Sequence, residues 1–132
     1  MPVTATPIFP QAFRTQHAQI STANTNLDGS GTLVTIFTAG SNGSKIDHID
    51  ITATVATTAG MVRLYLSDGT NHRLWREIAV SAITPSGTTS VFRATVDCSD
   101  KSNSLYLANG NSIRASTHNA ETFNVAIAGA DY

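Results

Sequence analysis

Polar and apolar residues alternate along most of the chain in short stretches, and this alternation limits the possible folds more than any other feature. Residues 62–66 alternate in this way, Asp68-Gly69 interrupts the pattern, and residues 72–80 alternate again. A period of two is typical of a β-strand with one covered face, and an Asp-Gly pair between two such stretches indicates an antiparallel hairpin. Because the pattern recurs from about residue 19 onward, no segment remains for a catalytic α/β scaffold.

The alternating stretches predict eight or nine strands in an all-β fold. We expect them at residues 17–21, 32–38, 44–55, 61–66, 72–80, 90–97, 105–107, 112–116 and 122–128. Gly, Asn, Asp and Pro separate the stretches, and a helix of at most one turn is expected, within residues 117–121. About eight strands are typical of a jelly roll, so we predict an antiparallel β-sandwich of jelly-roll type.

The strand predicted at residues 44–55 requires an irregularity. Ile49 and Ile51 alternate regularly, whereas Ile46 has the opposite parity. A bulge adds one residue to a strand and inverts the faces beyond it, so we expect one near Asp47-His48.

Two other predicted strands alternate without interruption. In the second, strict alternation places Val34 and Phe37 on opposite faces. In the fifth, it places Leu74 on the same face as the core residues that follow and Trp75 on the other face.

Size and composition favour one domain with a nearly neutral surface. A chain of 132 residues buries roughly two-thirds of its unfolded surface and needs no disulfide or metal to fold. Charged residues make up 13% of the chain, compared with roughly 25% in typical soluble proteins, and Thr, Ser, Asn and Gly replace them. Such a hydroxyl-rich surface suits a protein that lies against other proteins.

The same data argue against several classes of partner. The net charge is −1 and basic residues form no run, so a nucleic acid is not expected as a partner. The lone Cys98 provides no intrachain disulfide and no cysteine-rich metal site. The first residues resemble no signal peptide and no stretch approaches the length of a membrane span, so no membrane partner is expected.

Residues 1–16 are predicted to form an extended N-terminal arm, and residues 17–132 the β-sandwich domain. The prolines at positions 2, 7 and 10 argue against a helix and against a central strand of a sheet. The arm nevertheless carries three large apolar residues, which are Ile8, Phe9 and Phe13. Either the arm folds back onto its own domain, or it reaches a neighbouring subunit or partner.

One turn matches the first half of a calcium-binding loop. In residues 24–29, oxygen-bearing side chains occupy alternate positions before Gly29. The glutamate that should complete the loop is replaced by Thr35, which lies in a strand pattern. We interpret residues 24–28 as a turn in which Asn and Asp side chains bond to their own backbone, and expect neither metal nor cofactor.

No arrangement of residues predicts an enzyme. His48 and Asp50 lie on one strand face and could hold a metal, but no further ligand is identifiable, and a solvated polar face is the simpler interpretation. Nucleophile elbows, zinc-protease motifs and phosphate-binding glycine loops are absent from the sequence. We therefore expect no catalytic residues.

Five residues of the types enriched at protein interfaces lie across the predicted hairpin at residues 61–80. They are Arg63, Tyr65, Arg73, Trp75 and Arg76. Such residues often dominate binding energy at an interface. Two alternatives remain open, namely stacking on a sugar, and a cross-strand ladder that stabilises only the hairpin.

Four segments together resemble small proteins encoded among the virion genes of tailed bacteriophages. They are residues 22–32, 59–64, 74–77 and 112–125, which comprise turn and strand patterns and no catalytic signature. The resemblance covers most of the chain beyond the arm.

The resemblance implies a jelly-roll decoration protein, also called a cement protein, that stabilises the phage head from the outside. Its partners would be the major capsid protein and itself, as a homotrimer. Its location would be the capsid surface of the virion, after synthesis in the host cytoplasm. The alternatives are a receptor- or glycan-binding module of a phage tail or fibre, which would use Tyr65 and Trp75, and a head–tail connector or tail component.

Overall fold

The computed structural model describes residues 9–100 and 102–132, which form nine β-strands and no helix. In chain order the strands are β1 (Ala12–Ile20), β2 (Val34–Thr38), β3 (Ser44–Ala53), β4 (Gly60–Ser67), β5 (His72–Val80), β6 (Arg93–Asp97), β7 (Leu105–Leu107), β8 (Ser112–Thr117) and β9 (Phe123–Asp131). Among these described residues, no helix of the length and hydropathy that would cross a membrane is found.

The strands form two antiparallel sheets with the connectivity of a jelly roll. Sheet A has the order β1-β9-β3-β6, and β7 also pairs with β3, while sheet B has the order β2-β8-β4-β5. β6 pairs with residues 48–52 of β3 and β7 with residues 44–46, so the two follow one another along the same edge. Counted as one interrupted strand, they leave four strand positions in each sheet, as a jelly roll requires. The predicted fold class is confirmed.

The core lies between the two sheets and consists of the residues that alternation assigned to it. Ile49 and Ile51 of β3 lie beside Ile127 and Val125 of β9, and Leu64 of β4 belongs to the same cluster. All five are fully buried. Removing such a side chain from water contributes roughly 1.5–3 kcal/mol, so these inner faces hold the two sheets together.

The bulge predicted in β3 is confirmed, since its pairing with β9 shifts register between Ile46 and His48. A second bulge in β2 was not predicted. The register with β8 shifts between Thr35 and Phe37, so Val34 and Phe37 both face the core. Their predicted placement on opposite faces is therefore wrong, because the extra residue inverts the alternation.

A third bulge corrects the predicted faces of β5. The register between β4 and β5 shifts at Leu64 and Tyr65, and Trp75 has no partner on β4. Trp75 packs against the core, whereas Leu74 is 37% exposed. The sequence predicted the reverse, with Leu74 on the core face and Trp75 on the other. That prediction is wrong because strict alternation cannot include a residue that the partner strand leaves unpaired.

The first strand begins at Ala12, whereas the sequence predicted a start at His17. Each residue of β1 pairs with β9, from Ala12 opposite Asp131 to Ile20 opposite Phe123. The predicted end of the last strand at residue 128 was also too early, since β9 continues to Asp131 and its residues 129–131 pair with residues 12–14. The part of the predicted arm at residues 1–8 lies outside the described residues.

Candidate functional site

Two residues of the predicted interface cluster, Arg63 and Tyr65, are buried within the subunit. They point away from the core, but residues 21–33, which connect β1 to β2, cross the outer face of sheet B and cover them. The Tyr65 hydroxyl donates a hydrogen bond to the carbonyl oxygen of Asn26 at 2.8 Å, and Tyr65 is 0% exposed. Arg63 Nη1 donates to the carbonyl oxygen of Asn24 at 3.2 Å.

The Arg63 guanidinium also connects two strands and a turn. Its Nε donates to Glu77 Oε1 at 2.9 Å, and its Nη2 lies 3.1 Å from His118 Nδ1. Because a guanidinium only donates, His118 Nδ1 must accept and the proton of a neutral ring is on Nε2. These contacts and the bond to Asn24 engage Arg63 inside the subunit, where it ties the β1–β2 loop to the hairpin.

The other three residues of the cluster lie at the edge of the sandwich. Arg73 is exposed and Trp75 is partly buried. The Arg76 guanidinium carbon lies 5.1 Å from the centroid of the Trp75 ring, and Arg76 Nη2 donates to Asn103 Oδ1 at 3.2 Å. Arg76 thereby joins β5 of sheet B to the loop between β6 and β7 of sheet A. The structure does not bring the five residues together on one surface.

The apolar residues predicted on the arm fall at one end of sheet A. Phe9 is 66% exposed and Phe13 is 79% exposed, while Ile8 lies outside the described residues. Phe13 pairs with Ala130, which pairs with Lys45, which in turn pairs with Tyr106 of β7. Tyr106 is 61% exposed. One row across the outer face of sheet A therefore begins and ends with an exposed aromatic ring.

Contacts on the opposite face hold the start of β1 in place. Arg14 Nε lies 2.9 Å from Asp131 Oδ2, and Ser44 Oγ donates to Asp131 Oδ1 at 2.5 Å. The Arg14 guanidinium also donates to the carbonyl oxygen of Thr38 and lies 4.2 Å from the ring centroid of Phe37. The neighbouring Phe13 is thus presented on a fixed strand, with the adjacent charges already paired.

Asp50 is engaged by its cross-strand neighbours. Thr95 Oγ1 donates to Asp50 Oδ1 at 2.6 Å, and Arg93 Nη2 lies 3.5 Å from the same oxygen. His48 Nε2 is 3.6 Å from Asp50 Oδ2. No group of three or more metal-ligating side chains occurs among the described residues. The contacts with Thr95 and Arg93 make Asp50 part of a polar strand face.

The turn at residues 24–28 is organised by its own hydrogen bonds, as the Asx-turn interpretation predicts. Asn24 Nδ2 donates to the carbonyl oxygens of Ser30 and Thr32, both at 3.0 Å, and Asn24 Oδ1 accepts from the Asn26 N–H. Asp28 Oδ1 accepts from the hydroxyl and the N–H of Ser30, and these bonds lower the pKa of Asp28. The polar side chains serve to fold the loop over sheet B.

The sequence did not predict a role for Tyr106, which lines two cavities at the end of the sandwich where β1 begins. The larger has a volume of about 440 Å³ and the smaller about 280 Å³. The residue lies in a strand of three residues, too short for alternation to distinguish an exposed aromatic from a core residue.

Cys98 is buried, and burial raises the pKa of its thiol. A nucleophilic cysteine needs a lowered pKa, so this thiol is not activated as a nucleophile.

Comparisons with known proteins complete this description. No protein-family model and no curated protein matches the sequence. In fold, the chain is similar to two crystal structures of pentameric capsid proteins isolated from metagenomic phage sequences. The first has 14% identity, a TM-score of 0.46 and coverage of 88% of this chain and 67% of that chain. The second has 19% identity, a TM-score of 0.41 and coverage of 88% and 60%.

A third similar structure is a chain of the capsid asymmetric unit of cyanophage Pam1. It has 13% identity and a TM-score of 0.47, and the match covers 100% of this chain and 94% of that chain. All three TM-scores lie below 0.5.

Proposed function

We propose that this chain is a non-catalytic structural protein of a phage particle, which binds the outside of the capsid as a decoration protein. The observation that carries the proposal is the exposure of Phe9 and Phe13 at the start of β1, an edge strand that pairs with β9 along its whole length. Burying a phenylalanine side chain contributes roughly 1.5–3 kcal/mol. Two such rings on a fixed edge therefore favour contact with another protein surface.

The charges nearest the two rings are paired within the subunit. Arg14 and Asp131 form an ion pair beneath them, and Phe13 lies beside the small side chain of Ala130. A partner can therefore cover the rings without leaving this ion pair unsatisfied, while Lys45, His48 and Asp50 of β3 lie farther along the same face. The sequence resemblance to small virion proteins supports the major capsid protein as that partner.

The proposed homotrimer would strengthen a weak contact. Linking several modest binding sites makes the second and third contacts intramolecular, which raises the overall affinity without new interactions. A closed ring would also cover sheet edges that are open in a single copy. β1 is one such edge, since β9 is its only partner within sheet A among the described residues.

A double variant tests the role of the rings. Phe9→Ser with Phe13→Ser should remain folded, because both side chains are largely exposed, yet should no longer co-sediment with empty shells of the major capsid protein. The matched control is Leu27→Ser, which changes a residue that is 52% exposed in the β1–β2 loop. Undiminished loading of the double variant would contradict the proposal for these residues.

The mass of the chain in solution, compared with that of the double variant, shows whether the rings bind neighbouring copies or the capsid. If the native chain is a trimer and the double variant a monomer, the rings bind neighbouring copies. If both are trimers and only shell binding is lost, the rings bind the capsid. A native chain that stays monomeric at high concentration, measured by analytical ultracentrifugation, would exclude the homotrimer.

The alternative is a receptor- or glycan-binding module of a phage tail or fibre. As predicted from the sequence, it relied on Tyr65 and Trp75, and the burial of Tyr65 under the β1–β2 loop leaves that pair without a shared surface. The cavities beside Tyr106 offer a different site of this kind.

A further inference from the structure

Tyr106 lines both cavities, and the two are here named together the Tyr106 groove. The larger cavity is also lined by Asn42, Asn109 and Tyr132, and the smaller by Asn71, Arg73 and Trp75. Tyr106 is 61% exposed, so its ring is accessible to a ligand in the groove.

Three tight turns build the walls of the groove. The Gly43 N–H donates to the Gly40 carbonyl oxygen at 3.0 Å, and the Asn111 N–H donates to the Ala108 carbonyl oxygen at 3.0 Å. In the turn between β4 and β5, the Asp68 N–H donates to the Asn71 carbonyl oxygen at 3.2 Å. The groove is therefore formed before any ligand binds, as in most small-molecule sites.

The lining matches the chemistry of a sugar. Asn42, Asn71 and Asn109 are exposed, and each amide can donate to one hydroxyl and accept from another. The Tyr106 ring offers an apolar face to the C–H face of a pyranose, as aromatic rings with polar tips do at wet binding surfaces. Tyr132 lines the larger cavity, and its phenol hydroxyl can donate to one sugar hydroxyl and accept from another.

The charges of the larger cavity favour a neutral ligand, since among the described residues no charged side chain lines it. The smaller cavity is lined by two charged residues, Asp68 and Arg73. The Asp68 carboxylate already accepts hydrogen bonds from the N–H groups of Thr70 and Asn71, at 2.9 and 2.7 Å, while the exposed Arg73 can donate to sugar hydroxyls. An anionic or cationic ligand in the larger cavity would lose its hydration without gaining a counter-charge.

We infer that the Tyr106 groove binds a neutral oligosaccharide, with one sugar ring stacked on Tyr106 and the adjoining units in the two cavities. The volume of the larger cavity, about 440 Å³, lies within the range of roughly 300–1,000 Å³ that is usual for small-molecule sites.

This site uses residues other than those of the proposed capsid contact. Tyr106 of β7 and Phe13 of β1 lie in one row at the same end of sheet A, with β9 and β3 between them. Because no residue is shared, Tyr106→Ala tests the groove and Phe13→Ala tests the capsid contact. The inference therefore does not depend on capsid binding, and either can fail without the other.

The test is an amide NMR titration of the full chain with chitotriose, maltotriose and cellotriose, each up to about 10 mM, which detects affinities in the millimolar range. Binding of at least one sugar should shift the signals of Asn42, Asn71 and Asn109. Tyr106→Ala should weaken the affinity at least tenfold, and Tyr106→Phe should retain most of it. The matched control is Phe13→Ala, which removes an exposed ring from the same cross-strand row and should leave sugar binding unchanged.

Three results would overturn the inference. The first is the absence of shifts with all three sugars. The second is binding that Tyr106→Ala leaves intact. The third comes from a parallel titration with a synthetic peptide of residues 1–11. If that peptide shifts the groove signals and the sugars do not, the groove is a contact for protein segments.

Discussion

Single residues decide how the outer face of sheet B is covered. Tyr65 and Arg63 each donate to a backbone carbonyl of the β1–β2 loop. A buried polar group is costly without a partner, so these bonds make the covered position of the loop the favourable one. Gly29 then lets the loop lie close to β5, at a φ of +88° and with the carbonyl oxygen of His72 directly beside it.

Substitution of Gly29 tests this close approach. In Gly29→Ala, the new Cβ would lie 2.1 Å from the His72 carbonyl oxygen at a backbone angle that L-residues rarely adopt. We expect a loss of more than about 2 kcal/mol in the free energy of unfolding, measured with urea. The matched control is Gly87→Ala, where nothing lies within 4 Å of the added Cβ, and which should be neutral or slightly stabilising. Equal effects of the two changes would refute the account.

Three turn aspartates make the stability of the fold depend on pH. The three are Asp28, Asp68 and Asp97. Hydrogen bonds from residues two or three positions later lower the pKa of each carboxyl below the ordinary aspartate value of 3.8. A lowered pKa in the folded state means that the stabilisation is present above the unfolded value and is lost as the pH falls through the folded value.

We therefore expect the urea midpoint to fall as the pH is lowered from about 5 to about 2. A variant with Asn at all three positions keeps an acceptor at each turn but removes the titrating group. Its midpoint should change less over the same range. A steeper fall in the variant than in the native chain would contradict the assignment.

At the scale of the strands, bulges decide which side chains reach the core. The pairings of β2, β3 and β4 each contain one shift of register. Of these, only the shift in β3 leaves a trace in the sequence, because Ile46 and Ile49 must both be buried. In β5, the extra residue directs Trp75 towards the core and Leu74 towards solvent.

Truncation of these two neighbours distinguishes the observed faces from strict alternation. Trp75→Ala should lower the free energy of unfolding by about 2 kcal/mol, less than the 3–5 kcal/mol of a fully buried tryptophan because Trp75 is only partly buried. Leu74→Ala should cost less than about 1 kcal/mol. Urea denaturation of both variants provides the comparison. A larger loss for Leu74→Ala would show that strict alternation describes β5 better than the bulge does.

For the molecule as a whole, the two edges of sheet A differ in character. The β1 edge carries exposed phenylalanine rings above a paired charge cluster, and the β7 edge carries a groove with polar amides. Pairing of β1 with β9 begins at Ala12, and we predict that the folded unit starts near this residue.

Two deletions test that boundary. Removal of residues 1–10 should leave the thermal midpoint nearly unchanged, because β1 and its pairing with β9 remain. Removal of residues 1–14 takes away Arg14 and with it the contacts to Asp131 and Phe37, so the midpoint should fall by several degrees. Differential scanning calorimetry measures both. Equal midpoints would mean that residues 12–14 contribute nothing to the fold.

The sequence by itself determined the strands, the two-layer sandwich and most of the core, because alternation and turn residues are local properties of the chain. It also pointed to Phe9 and Phe13, since large apolar residues in an extended segment need a partner. Only the tertiary structure decided whether each outer face is covered or exposed. Tyr65 has the same local pattern whether or not a loop lies above it, and Tyr106, which also lies on an outer face, is 61% exposed. Whether a strand face meets water or a remote segment depends on contacts between distant parts of the chain, and no pattern within the strand itself records them.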